Sequence, residues 1–181
     1  TAVPMVTMPP YAGGLGFTFK WNMGFMHDTI HYVETDPFFR AGNHHALTFS
    51  MDYAYSEAYI LEYSHDEVVY GKRSMINKMF GDYEQKFSTL RALLGYQYAH
   101  PGKKLTFMGS EFAQFDEWNF KRELEWELLK YPAHSSMQRY SAELGKFYLE
   151  HSAFWIDDTD PAGFMWANKN NRNENAVAFL R

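Results

Sequence analysis

The apolar pattern of this chain changes period in a fixed order, and that order leaves few folds open. Phe17, Phe19 and Trp21 alternate with other residues over positions 16–21, which predicts a strand. Residues 46–58 read as a helix, a weak one by propensity because of Thr48, Tyr53 and Tyr55. Tyr59-Ile60-Leu61-Glu62-Tyr63 predicts a second strand, and from Asp82 the residues Phe87, Leu90 and Leu94 recur at steps of three and four, predicting a helix that Pro101-Gly102 stops. Residues 104–108 give a third short apolar strand closed by Gly109. Residues 135–150 give a helix striped by Met137, Tyr140, Leu144, Phe147 and Tyr148. Strand and helix in three successive rounds are the signature of an α/β fold, a parallel sheet covered by helices. After a turn-rich linker at 157–163, residues 164–181 read instead as two strands flanking a polar run.

Two parallel architectures compete. A doubly wound sheet carries a short glycine-rich turn between a strand and its helix, and none of the three strand ends shows G-x-G-x-x-G or a P-loop. Long polar and aromatic loops after the strands fit a (β/α)8 barrel, whose active face is built that way. Such a barrel takes about 250 residues. Three units in 181 residues make a part-barrel, so we read 1–152 as its C-terminal part and 153–181 as the linker and start of a β domain. The chain opens at Thr1 without an initiator Met or a signal-peptide pattern, and it closes on a strand-like Ala-Val-Ala-Phe-Leu-Arg with no turn after it. Both ends read as those of an internal piece of a longer protein.

Composition narrows the chemistry. Against 22 Asp and Glu there are 17 Lys and Arg, for a net charge of −5, and the cations form no cluster. This argues against nucleic acid or a membrane surface as partner. The absence of cysteine removes disulfides, thiolate metal sites and cysteine nucleophiles, and fits a cytoplasmic location. Apolar runs fall far short of the ~20 residues that span a bilayer.

Ser64-His65-Asp66-Glu67 follows the second strand, where ionisable side chains of a barrel converge on the active site. The alternative is that Asp66 and Glu67 merely cap the next segment. His27-Asp28-Thr29-Ile30-His31 imitates the zinc motif H-E-x-x-H, with a shorter acid in the base position and no convincing helical stripe, so no metal site is assigned. His44 and His45 diverge in either a strand or a helix, and no G-x-S-x-G elbow accompanies His65 and Asp66. Tyr11, Phe25, Tyr32, Phe38, Phe39, Phe115 and Trp118 fall in expected loops, where rings beside carboxylates suit carbohydrate; the alternative is that they pack loops together.

These segments also stand in one register with a known pattern. Gly13-Gly14-Leu15-Gly16-Phe17, Lys20-Trp21-Asn22-Met23-Gly24, Met26-His27-Asp28-Thr29, Ser64-His65-Asp66-Glu67-Val68-Val69 with Gly71-Lys72, Gly81-Asp82 with Gln85-Lys86-Phe87, His100-Pro101-Gly102-Lys103-Lys104, and Phe107-Met108-Gly109 with Glu111-Phe112-Ala113-Gln114 and Glu117-Trp118-Asn119 resemble the bacterial glycogen branching enzymes of the α-amylase superfamily. The resemblance runs from about Thr1 to Arg181.

It implies a (β/α)8 barrel followed by an all-β domain, with the strands here being barrel strands six, seven and eight. It implies retaining cleavage of an α-1,4 bond in glycogen or amylose and transfer of the chain to a 6-hydroxyl, with no cofactor and no metal. Asp66 matches the family's third catalytic carboxylate and His65 its partner. The nucleophile and the acid/base belong to segments before Thr1, so the chain alone is expected to be inactive. Glu111, Gln114 and Trp118, after strand eight, are implied contributors to glucan binding. Tyr70 stands where the family often has His, and Phe80 where it commonly has Pro, departures that bear on donor-chain preference. The rival readings are a silent glucan-binding module and an amylase or debranching enzyme sharing the His-Asp pair. A part-barrel also has open edges, from which self-association is expected.

Overall fold

A computed structural model describes residues 5–181; positions 1–4 of the expected barrel part, with Thr1, lie outside the described residues. Three parallel strands, β1 (Lys20–Trp21), β2 (Tyr59–Tyr63) and β3 (Lys103–Thr106), form one sheet in the order β1-β2-β3. Helix α1 (Met23–Glu34) connects the first pair, and α2 (Met75–Lys78) and α3 (Tyr83–Ala99) connect the second. Helix α4 (Pro132–Glu150) follows β3, and β4 (Met165–Asn168) pairs antiparallel with β5 (Ala178–Leu180) in a separate two-stranded sheet. The expected α/β class, with its parallel sheet and terminal antiparallel pair, is what the chain adopts.

The first round departs from expectation in three ways. The strand expected over 16–21 is reduced to Lys20–Trp21, because Phe17 sends its amide to Val6 O (3.0 Å) and Leu15 to Met5 O (2.8 Å) instead of to the sheet. The ring of Phe17 is accordingly exposed. The helix expected over 46–58 does not form. Residues 40–52 make tight 3-10 turns at Arg40–Leu47 and Phe49–Asp52, broken by non-helical dihedrals at Asn43, and the Tyr53 ring swings back to donate to Asn22 Oδ1 at 3.1 Å. The helix of this round is α1, which starts directly after β1 with no long loop between them. Asn22 caps it, accepting from the Phe25 amide at 2.9 Å. Gly24 leaves room for this arrangement, since a Cβ would stand 2.4 Å from the Tyr53 hydroxyl and push that ring aside.

Helix α1 buries Phe25, Met26, Thr29, Tyr32 and Val33, a spacing of one, four, seven and eight that is a helical stripe. Phe25 and Tyr32 are thus core residues and not loop aromatics. The Thr29 hydroxyl meets the Tyr63 hydroxyl at 2.7 Å, fixing α1 to β2. Helix α3 opens on a capping box, Asp82 Oδ1 accepting from the Gln85 amide and Gln85 Oε1 from the Asp82 amide, both at 2.9 Å. It covers the same sheet face with Phe87, Leu90 and Leu94. Leu61, Tyr63, Phe25, Ile76 and Leu90 are fully enclosed, and each such side chain contributes about 1.5–3 kcal/mol. Gln97, also buried, donates to the strand carbonyls Leu61 O (2.9 Å) and Leu105 O (3.0 Å). Helix α4 begins at Pro132 and buries His134 and Met137, while Phe147 of the expected stripe lies exposed.

Candidate functional site

Because side chains alternate along a strand, the core positions Leu61 and Tyr63 send Glu62 to the opposite face, and the chain then turns at the C-terminal end of β2. Ser64 and Glu67 form a capping box for the 3-10 turn His65–Val68: Glu67 Oε2 accepts from the Ser64 amide (2.6 Å) and hydroxyl (2.7 Å), and Ser64 Oγ accepts from the Asp66 amide (3.2 Å). Capping therefore falls to Ser64 and Glu67, both buried. The side chains of His65 and Asp66 take no part in it and are exposed.

Asp66 Oδ2 lies 3.1 Å from Lys72 Nζ, with the two side chains 56% and 49% exposed. Pairs this open are worth little and exchange readily with water or a ligand. The His65 ring stands 5.8 Å from Phe107, just beyond β3, and Phe107 in turn meets Trp118 edge-on at 5.2 Å. The ends of β2 and β3 thus link His65, the neighbour of Asp66, to Trp118 through the Phe107 ring.

The loops after these strands are joined by hydrogen bonds. Ser74 Oγ and Asn77 Nδ2 both donate to Phe115 O at 2.8 Å, and the Trp118 amide donates to Val68 O at 3.0 Å. Glu117 accepts from the amides of Gly71 (2.9 Å) and Arg73 (2.6 Å), which hold its carboxyl below the usual range. Gln114 is buried, with Nε2 on Asp116 O (3.0 Å) and Oε1 accepting from the Glu125 amide (3.1 Å). Glu125 Oε2 accepts from the amides of Phe115 and Asp116, both at 2.8 Å. Glu111 is half-buried in the 3-10 turn Ser110–Phe112, its carbonyl accepting from Ser141 Oγ at 2.9 Å.

Of the residues expected at the site, His65 and Trp118 flank the same Phe107 ring and Asp66 follows His65, whereas Gln114 spends both ends of its amide on its own loop. Lys72 and Glu117 stand in the matched segments with no role assigned to them, and Glu125 was not picked out by sequence reasoning. Their partners are backbone amides or a residue six positions away, which no side-chain motif encodes. The His27 and His31 pair does lie on a helix, α1, but on its exposed side. Burial raises the Asp28 carboxyl between them, against the opposing pull of His45, His27 and His31. Among the described residues no group of three or more His, Asp and Glu is arranged to hold a metal ion. His44 is buried, with Nε2 at 2.9 Å from Lys169 O.

Among the described residues no helix is long and apolar enough to cross a membrane. No protein-family model matches this sequence. The chain is 52% identical over 181 residues to the 1,4-alpha-glucan branching enzyme GlgB of Aquifex aeolicus, matching 100% of this chain and 29% of that protein. It is 49% identical over 181 residues to the same-named enzyme of Halothermothrix orenii, again 29% of it. Against that of Bacillus caldolyticus it is 52% identical over 178 residues, covering 98% of this chain and 27% of the enzyme. From end to end the chain is similar to one segment of the bacterial branching enzymes, spanning less than a third of their length.

Proposed function

We propose that this chain is a segment of a 1,4-α-glucan branching enzyme: residues 1–152 supply strands six to eight of its (β/α)8 barrel, and residues 153–181 begin its all-β C-terminal domain. The observation that carries this reading is the exposed His65–Asp66 pair at the C-terminal end of the middle parallel strand, in a chain half identical throughout to such enzymes.

Retaining transfer needs two carboxyl groups about 5–5.5 Å apart, one attacking the anomeric carbon and one protonating the leaving oxygen. In this reading both come from the preceding part of the enzyme. Asp66 has the third role. Its carboxylate, held loosely by Lys72, exchanges that partner for hydroxyls of the sugar at the cleaved bond, and the contact tightens as the ring flattens toward the oxocarbenium-like transition state. His65, braced on Phe107, donates a second hydrogen bond to the same sugar. Trp118 offers a ring to the glucan, with Glu111 and Gln114 shaping the loop beneath it. The setting is cytoplasmic glycogen synthesis, without cofactor, nucleic acid or membrane.

The test is product analysis on amylose with the full-length enzyme. The parent forms new α-1,6 linkages, and Asp66→Asn lowers kcat by about a hundredfold or more with the melting temperature nearly unchanged. Loss of polymer without branches would point to a hydrolase, and retention on a glucan resin with neither product to a binding module. The isolated 181-residue chain forms no branches. Retained activity in Asp66→Asn would show that Asp66 is structural.

A further inference from the structure

The loop that follows Asp66 holds a conformation that folding alone does not explain. Tyr70 and Arg73 have φ of 56° and 68°, on either side of Gly71 at 82°. A residue with a Cβ stays in that left-handed region only where its surroundings over-determine it. Here they do. Glu117 binds the amides of Gly71 and Arg73, Lys78 Nζ donates to Lys72 O, and the Arg73 guanidinium bonds Glu34 (2.5 Å) and Asn77 O (3.1 Å). Yet among the described residues nothing covers the ring of Tyr70, which is 92% exposed while the preceding Val68 and Val69 are buried. A position that would favour glycine or asparagine carries an aromatic ring in solvent on a clamped backbone, two residues from the lysine that pairs with Asp66.

We propose that Tyr70 is a substrate-contacting residue that sets chain preference, its ring stacking on a glucose unit of the α-glucan bound at Asp66, and that Glu117 is the positioning residue that presents it. This rests on the branching-enzyme reading and adds a contact to that site. A sugar's C–H face packs on an aromatic ring, and a turn whose backbone is clamped before binding loses little further freedom when the sugar arrives.

In the full-length enzyme, Tyr70→Ala should raise KM for amylose about three- to tenfold, with kcat nearly unchanged and the length profile of transferred chains shifted. Tyr70→Phe and Tyr70→Trp should restore both. Glu117→Ala should reproduce the KM change, and the double variant Glu117→Ala, Tyr70→Ala should be no worse than either alone, as expected of residues acting as one unit. Glu117→Gln, which keeps one acceptor oxygen, should fall between. Additive effects of the two alanine variants would overturn the positioning role of Glu117. An unchanged KM and chain-length profile in Tyr70→Ala overturns the platform itself, whatever Asp66→Asn does. Activity retained in Asp66→Asn bears instead on the assignment of the site, so the two failures are told apart.

Discussion

The ammonium of Lys20 lies 2.9 Å from the carboxylate of Glu57, the two side chains being 12% and 1% exposed. Glu57 also accepts from the amides of Val6 (3.2 Å) and Thr7 (2.6 Å) and from the Thr7 hydroxyl (2.9 Å), so one carboxylate ties the first described residues to β1 and to the entry of β2. Burial alone would raise its pKa, but the bonds from Thr7, Lys20 and Val6 outweigh burial and hold it at about 2.

Acid should therefore unfasten this end of the sheet. With a folded pKa of about 2 and an unfolded value near 4.3, Glu57 contributes stability that is complete above ~4.5 and lost as the pH falls toward 2. Thermal melts between pH 7 and pH 2 should show a steep fall in Tm below pH 4 for the parent. Glu57→Gln should start lower at pH 7 and fall less steeply. Parallel curves would disprove the assignment.

Glu62 works in the opposite sense. Its carboxylate is fully buried, and neither oxygen has a hydrogen-bond partner among the described residues. Burial, helped by Glu67 and opposed by the amides of Glu62 and Asn22, pushes its pKa up to about 7. A raised carboxyl favours folding below the unfolded value and loses that stability as the pH climbs from about 4.3 through 7, on the order of 3 kcal/mol in all. Glu62→Gln should be more stable than the parent at pH 8 and equal to it near pH 4.5, as measured by urea unfolding. A variant less stable at pH 8 would mean that a partner for the ionised carboxylate exists.

The contrast between these two glutamates shows what the sequence discloses. Glu62 sits in an apolar run that reads plainly as a strand, and the strand forms as expected. Its burial was not legible, because alternation tells which residues share a face and not what covers that face. Glu57 fell within an expected helix, where its partners, 37 to 51 positions away, are invisible to any local pattern. Helix α1 was misread for a related reason: its stripe of Phe25, Met26, Tyr32 and Val33 is interrupted on the polar side by histidines that suggested a metal motif. The location of His65 and Asp66 was readable from strand and loop, and the separation of Asp66 from the cap was not.

Asp158 should matter to the terminal hairpin out of proportion to its place in a linker. Its two oxygens meet Arg181 at 2.9 Å and Lys103 at 3.1 Å, and the Asp158 and Arg181 side chains are 4% and 3% exposed. Removing one member of a buried pair strands the other, so Asp158→Ala should cost about 3–5 kcal/mol, and Asp158→Asn, which keeps an acceptor, distinctly less. Urea unfolding would measure both. A loss below about 1 kcal/mol in Asp158→Ala would show that the hairpin is held by its rings instead.

The 181-residue chain in isolation should self-associate. Among the described residues β3, at one end of the three-stranded sheet, pairs on one side only, which leaves a strand edge open to a second copy. Light scattering should find dimers or larger species at micromolar concentration. A cooperatively melting monomer of 21.3 kDa would show that the piece closes its own edges.

The hydrogen bonds that join the loops after β2 and β3 have an implication for how such a site can be altered. Ser74, Asn77 and Glu117 bind backbone groups of the opposite loop, and Trp118 reaches back to Val68. Each loop has bonds of its own, but part of its shape is set by the other. The smallest unit that can be transplanted to another parallel sheet is the pair, and a chimera exchanging one loop alone would import the letters His-Asp without the frame that aims them.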